Sequence, residues 1–211
     1  MDNEATVDGF EPHLGVNHYG HFLLRVLLTP TLTATAAAGA EARVVVVASS
    51  LHDRMFNQKN TTLDLRADPK SLGWKVGIKS STLQKWTAYS RSKLANVMSA
   101  AASATRLAEL GVACVSLHPG IDTSTGLFRG MPIGRRLMAL VPGLGLQSTW
   151  QSIQTILYCT LAPQTSLVPG AFYSQHLRSG YRDGATGGMP MKSMVNPMVN
   201  PEDCVALEVL S

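Results

Sequence analysis

The chain reads as an α/β protein built on a parallel sheet, and three stretches carry that reading. Arg43-Val44-Val45-Val46-Val47-Ala48-Ser49-Ser50 holds four consecutive β-branched residues, the composition of a strand buried on both faces. A second short apolar run, Val112–Leu117, is closed by His118-Pro119-Gly120. Long helical patterns lie before, between and after these runs, so helix and strand alternate as they do in α/β folds.

In chain order, residues 12–38 form a helical segment that carries Asn17, is interrupted by Pro30 and closes in the Ala-rich stretch Thr33 to Ala38. Residues 43–49 are a strand. The connection from Leu51 to Lys85 is polar and punctuated by Asn57 to Asn60, Asp68-Pro69, Gly73 and Gly77, a length usually found in functional or mobile loops. Leu63, Leu65 and Trp74 argue that part of it packs. A helix over residues 86–110 would bury Ala95, Met98, Ala101, Ala102 and Leu107, and Gly111 stops it. The strand at 112–117 follows, then a loop and lid over 118–146. The stretch from Gly126 to Val141 is apolar, Met-containing and hinged by glycines. That composition suits a cover over a greasy ligand, and equally an amphipathic helix packed on the core or resting on a membrane. A helix at 147–162 and a strand near Ala171-Phe172-Tyr173 come next. After Leu177 the chain turns to Gly, Met, Asn and Pro, with the near-repeat Met194-Val195-Asn196-Pro197 and Met198-Val199-Asn200-Pro201. Residues 177–211 therefore read as an extended tail. Residues 1–211 read as one domain.

Composition narrows the function classes. Of 211 residues, 45% are hydrophobic, too many for wholesale disorder. The net charge is +4, but the 18 basic residues are spread along the chain, with no basic run or aromatic ladder to hold nucleic acid. Cys114, Cys159 and Cys204 are widely spaced, without a C-x-x-C or a nearby His at ligand spacing, so neither a metal nor a disulfide framework is expected. Cys114 and Cys159 read as small buried hydrophobes in a reducing compartment. The acidic start lacks a signal pattern, and no apolar run approaches the ~18 residues of a membrane span. The expected location is cytoplasmic, or peripheral at a membrane.

The chemistry concentrates in Tyr89-Ser90-Arg91-Ser92-Lys93. Four residues apart on a helix, the phenol and the ammonium share a face. A free phenol titrates near pH ~10; a fixed cation beside it stabilises the phenolate and suits it to proton transfer with an alcohol oxygen. The same spacing also occurs where two residues merely share a solvated face. The context around this pair is specific. Ser49 and Ser50 end a strand, where ligands of open α/β sheets bind. Upstream lie Asp8-Gly9-Phe10-Glu11 and Gly15-Val16-Asn17-His18-Tyr19-Gly20-His21-Phe22.

Asn on a helix, Ser after a strand, Tyr and Lys on a helix and Pro-Gly after a strand, in that order, resemble the short-chain dehydrogenase/reductase family. The wording of the motifs is most similar to its retinol dehydrogenase and WW-domain oxidoreductase-like branch, from about Asp8 to about Tyr173. The resemblance implies the C-terminal half of a Rossmann-like, doubly wound parallel sheet in three αβα layers. It implies Tyr89 as acid/base and Lys93 lowering its pKa while holding the nicotinamide ribose. Ser50 would bond the substrate oxygen, and Asn17 would join a proton relay. Pro119 and Gly120 would border the nicotinamide, with Ser124 or Thr125 reaching its carboxamide or the phosphates. The implied cofactor is NADP, ahead of NAD, and the implied substrate an apolar alcohol or carbonyl of retinoid, steroid or lipid type. His118 reads as a polar, satisfied residue rather than a second acid/base.

One part of the family pattern has no counterpart here: no Gly-rich strand-to-helix turn for the pyrophosphate is found, so the cofactor-binding half is expected to lie outside this sequence. Two readings follow, an oxidoreductase or a non-catalytic remnant that serves as a dimerisation partner of a full-length relative. On either, the strand at 43–49 should have 112–117 on one side and an open edge on the other. The isolated chain should then be marginally stable, aggregating or forming a homo-oligomer through that edge.

Overall fold

The computed structural model describes residues 4–52, 63–73, 82–120, 149–175, 193–194 and 199–211. The first helix, α1, is continuous through an α-helical turn Pro12–Leu14, a π-helical turn Gly15–Tyr19 and the α-helix Gly20–Ala37. Glu11 starts it: its carboxylate accepts the Leu14 N–H at 2.8 Å, with Pro12 at the first helical position. Pro30 does not interrupt this helix, contrary to the sequence expectation. It sits on an exposed face, where water can satisfy the carbonyl that loses its helical partner.

Strand β1 is Ala42–Val47, helix α2 is Thr82–Glu109 and strand β2 is Val112–Leu117. Gly111, at φ +76°, makes the left-handed turn between α2 and β2. The sequence predicts one helix at 147–162; the structure has two, α3 Thr149–Ser152 and α4 Gln154–Leu161. Strands β3 (Phe172–Tyr173) and β4 (Ser193–Met194) complete a sheet of order β1-β2-β3-β4. The first three run parallel, with Val44 opposite Cys114 and Ser116 opposite Phe172; β4 is antiparallel. Helices cover both faces. Ala42, Val44 and Val46 pack with Ala100, Ala104 and Leu107 of α2, while Val45 joins Val115, Leu117 and Cys159 on the opposite face. This is the three-layer arrangement that the motifs imply.

Two expectations need correction. Residues 177–211 are not wholly an extended tail, because Pro201–Leu210 is a helix, α5. Asn200 caps it by accepting the Glu202 N–H at 3.0 Å, Pro201 stands at its start and Glu202 and Asp203 fill its first turn, all helix-starting signals. It folds back onto α2, burying Cys204 and Leu207 with Leu14, Leu72, Leu94, Ala95 and Met98. Cys204 thus joins Cys114 and Cys159 as a buried thiol. Burial pushes Cys114 and Cys159 up to about 12 and Cys204 up to about 11. Second, the valines of β1 are only half-buried, and Val47 is exposed, whereas every residue of β2 is buried. A strand with both faces covered stays partly open only if an edge is open, and among the described residues none pairs with the outer edge of β1.

In the long connection, Leu63 and Leu65 pack against the α2–α5 cluster and Leu72 is fully buried, as the sequence suggests for that segment. Trp74 lies outside the described residues, as do 121–148, which include Ser124, Thr125 and nearly all of the expected lid.

Candidate active site

The polar residues gather at the carboxyl ends of β1 and β2. The strand β1 ends at Val47, and Ala48 N–H donates to Leu117 O at 2.8 Å, holding the two strand ends together. Ser49 and Ser50 follow immediately, both buried. Helix α2 brings Tyr89 and Lys93 to the same place, one turn apart, with Lys93 Nζ over the Tyr89 ring at 5.7 Å from its centroid. Lys93 Nζ donates to Val47 O at 3.1 Å, and Asn96 Nδ2 approaches the same carbonyl at 3.5 Å.

The two serines do different things. Ser49 is near enough to the Tyr89 phenol to oppose the rise in its pKa, while Ser50 Oγ lies 3.5 Å from Nε2 of the buried His118. The sequence reading assigns Ser50 to the substrate oxygen; the hydroxyl beside the Tyr89 phenol is that of its neighbour, Ser49. A Ser-Ser pair signals that one hydroxyl faces the site without saying which. The ring of Tyr89 is also flanked edge-on by Trp86 at 5.9 Å and His13 at 6.5 Å between centroids. His13 Nδ1 is held by the buried carboxylate of Glu11 at 2.9 Å. Nothing in the spacing of His13 or Trp86 marks them beforehand, because they reach Tyr89 from α1 and from the preceding turn of α2.

Electrostatics oppose a simple reading of the Tyr–Lys pair. Burial holds the Tyr89 phenol above its usual value of 10, and the bond from Ser49 works against that rise. Burial lowers Lys93. Each group is therefore biased toward its neutral form, so burial by itself makes the phenol a weaker acid and the ammonium a weaker support for a phenolate.

Asn17 stands in the π-helical turn of α1, a distortion often found at functional sites. Its Nδ2 donates to Ser92 Oγ at 3.0 Å, and Ser92 Oγ donates to Tyr89 O at 2.7 Å. Asn17 is thus joined to the backbone of Tyr89. Gly15 opens this turn because a Cβ there would meet Thr6 Cγ2 at 2.9 Å. Of the other motif histidines, His18 is buried between Asn96 Oδ1 at 3.3 Å and Ser211 Oγ at 3.0 Å. Pro119 and Gly120 follow β2, with Gly120 at φ +96°.

No family model matches the chain. It is 32% identical over 176 residues to the WW domain-containing oxidoreductase of Danio rerio, covering 82% of this chain and 39% of that protein. It is 38% identical over 170 residues to retinol dehydrogenase 12 of Bos taurus, covering 80% of this chain and 47% of that protein. A solved structure of 3-ketoacyl-(acyl-carrier-protein) reductase from Brucella melitensis complexed with NADH superposes with TM-score 0.53 at 21% identity, covering 80% of this chain and 56% of that one; that likeness shows the fold. The chain spans about half the length of the curated relatives it matches. The class is a Rossmann-type α/β fold. Within that class the chain belongs to the short-chain dehydrogenase/reductase family, among homologues named retinol dehydrogenase and WW domain-containing oxidoreductase.

Proposed function

We propose that the chain carries the proton-transfer half of a nicotinamide-dependent oxidoreductase acting on the alcohol or carbonyl of an apolar substrate. The observation that carries this reading is the meeting of Tyr89, Lys93 and the Ser49-Ser50 pair at the carboxyl ends of β1 and β2, where open α/β sheets bind ligands. When bound, the nicotinamide supplies or accepts the hydride. Tyr89 Oη gives its proton to the substrate oxygen during reduction and takes it back during oxidation. Ser50 donates a hydrogen bond to that oxygen, and Ser49 orients the phenol. Lys93 has three donors and one is used on Val47 O, leaving two for a ribose diol. Asn17 fixes the backbone of Tyr89 through Ser92. Pro119 and Gly120 would border the nicotinamide, with Ser124 or Thr125 reaching its carboxamide or the phosphates. The residues present fit the ribose and nicotinamide end of the cofactor. Among the described residues, no glycine-rich strand-to-helix turn offers the backbone N–H cradle that pyrophosphate takes.

Retinal-like and other apolar substrates are supported by the names of the relatives, and NADP is proposed ahead of NAD. No described helix is long and apolar enough to cross a membrane; peripheral contact with one is compatible with a greasy substrate. The test is turnover of an apolar aldehyde with NADPH or NADH by the chain fused to the cofactor-binding half of a close relative. Tyr89→Phe should lose 10²-fold or more of kcat, on the scale of general acid–base catalysis, while still binding cofactor. Lys93→Ala should lower kcat and weaken cofactor binding together, and Ser50→Ala should cost more kcat than Ser49→Ala. A wild-type rate in Tyr89→Phe, or no turnover by the fusion with either cofactor, refutes the catalytic reading and favours the non-catalytic dimerisation partner.

A further inference from the structure

A phenol that gives up its proton in each reduction must be recharged, and burial makes a lingering phenolate at Tyr89 costly. Two rings stand edge-on to Tyr89, those of Trp86 and His13, and of the two side chains only the imidazole gains and loses a proton near neutral pH. His13 is oriented for that task. Its Nδ1 lies 2.9 Å from Glu11 Oε1; a carboxylate only accepts, so Nδ1 carries the hydrogen. This bond sets the tautomer and leaves Nε2 as the nitrogen that can change its protonation. Glu11 is itself locked in place. Its Oε2 accepts the Leu14 N–H at 2.8 Å, and its backbone N–H donates to Lys70 O at 2.9 Å. Across from it, burial disfavours the charge of Arg91, which the carboxylates of Asp64 and Glu11 support, and Arg91 Nη2 donates to Leu72 O. The Glu11 side chain is 1% exposed, whereas that of His13 keeps 19%. One end of the pair is therefore fixed inside the protein, and the other packs on the phenol while still reaching solvent.

We propose that His13 is a proton shuttle between Tyr89 and solvent, with Glu11 as its positioning residue; the inference rests on the catalytic reading of Tyr89. During reduction the Tyr89 Oη–H bond breaks as the substrate O–H bond forms, which leaves a phenolate. A single water between the two side chains then gives a proton to Oη and takes one from His13 Nε2, and Nε2 recovers its proton from solvent. During oxidation each transfer runs in reverse. Only protons move in this relay, and Glu11 stays a carboxylate throughout, its charge favouring the imidazolium that forms in each cycle. The ring centroids of His13 and Tyr89 are 6.5 Å apart with an interplanar angle of 79°, a separation within the reach of a one-water transfer. Asn17 is less suited to the same task, because it is an amide without a titrating proton and its Nδ2 is given to Ser92 Oγ at 3.0 Å.

Chemical rescue tests the proposal, in the chain fused to the cofactor-binding half of a close relative. His13→Ala should lower kcat for an apolar aldehyde about tenfold or more and leave KM and cofactor affinity near wild type, the pattern of a lost transfer step rather than lost binding. Free imidazole should restore the rate in proportion to its concentration. Pyrazole, a ring of the same size but too weak a base to carry a proton near neutral pH, should not. His13→Gln keeps an N–H for Glu11 and fills the same space, so it provides the measurement if His13→Ala does not fold; it should show the same loss of kcat. Three results would overturn the proposal: wild-type kcat in either His13 variant, a His13→Ala loss that imidazole leaves unmoved, or equal rescue by imidazole and pyrazole, which would mean that the ring only fills space. Tyr89→Phe in the same fusion separates the two readings. If it is inactive while the His13 variants turn over normally, the shuttle alone fails; if it turns over normally, the catalytic reading fails with it.

Discussion

Replacing Glu208 with Ala should loosen the last helix from the rest of the molecule. Glu208 Oε1 accepts from Arg25 Nη2 at 3.1 Å, Arg106 Nη2 at 3.1 Å and Ser103 Oγ at 3.0 Å, so one carboxylate joins α5 to both α1 and α2. The two cations are not equivalent. Arg106 is 64% exposed, and its pair contributes a few tenths of a kcal/mol at most. Arg25 and Glu208 are 6% and 18% exposed, and among the described residues the buried Nη1 of Arg25 has no hydrogen-bond partner. Removing the carboxylate leaves that guanidinium buried and uncompensated, which costs about 3 kcal/mol on the scale of broken buried pairs. For a chain of this size that corresponds to a drop of about 6–12 °C in Tm. Thermal and urea melts of Glu208→Ala and Arg106→Ala measure it, the second expected within about 0.5 kcal/mol of wild type. The double variant Arg25→Met/Glu208→Met should recover most of the loss, because no buried charge remains. Equal, small effects from Glu208→Ala and Arg106→Ala would refute the reasoning and show that α5 is held by Cys204 and Leu207 alone.

Further outcomes follow from single residues. Burial, opposed by the bond to Asn96, lowers His18 to about 4 from 6.5. The unfolded chain therefore binds this proton first as pH falls, and stability, full above pH 6.5, declines toward pH 4 by up to about 3 kcal/mol; His18→Gln should flatten that slope in urea midpoints, and an unchanged slope would assign it elsewhere. Gly111→Ala forces a side chain onto φ +76° and sets its Cβ 3.1 Å from Ala36 Cβ, so a net loss of about 1–2 kcal/mol is expected. Gly39→Ala, at φ +81° with nothing within 4 Å, should lose less, and equal losses at the two sites would leave the Ala36 contact without effect.

Much of the fold is local information, and that part is readable from the residues alone. The valine run and Val112–Leu117 become parallel neighbours because β-branched and apolar runs bounded by turn residues have few other uses. Tyr89 and Lys93 share a face because four residues nearly complete a helical turn, and Gly111 ends α2 because a left-handed residue is needed there. Pro30 and the C-terminal segment show where the local reading misleads. A proline is tolerated where water replaces its missing bond, and Asn200-Pro201-Glu202-Asp203 starts a helix inside a stretch whose composition suggests a tail. Only the tertiary structure decides the rest. It sets Ser50 beside His118, brings His13 and Trp86 to the Tyr89 ring, and joins Glu208 to an arginine 183 residues away. It leaves the valines of β1 half open and raises the phenol that the sequence expects a lysine to lower. Composition and periodicity report which residues can be buried and on which face. Whether a given group is buried, and against what, depends on contacts between distant segments, and the pKa values, pairings and open edge of this protein all follow from that burial.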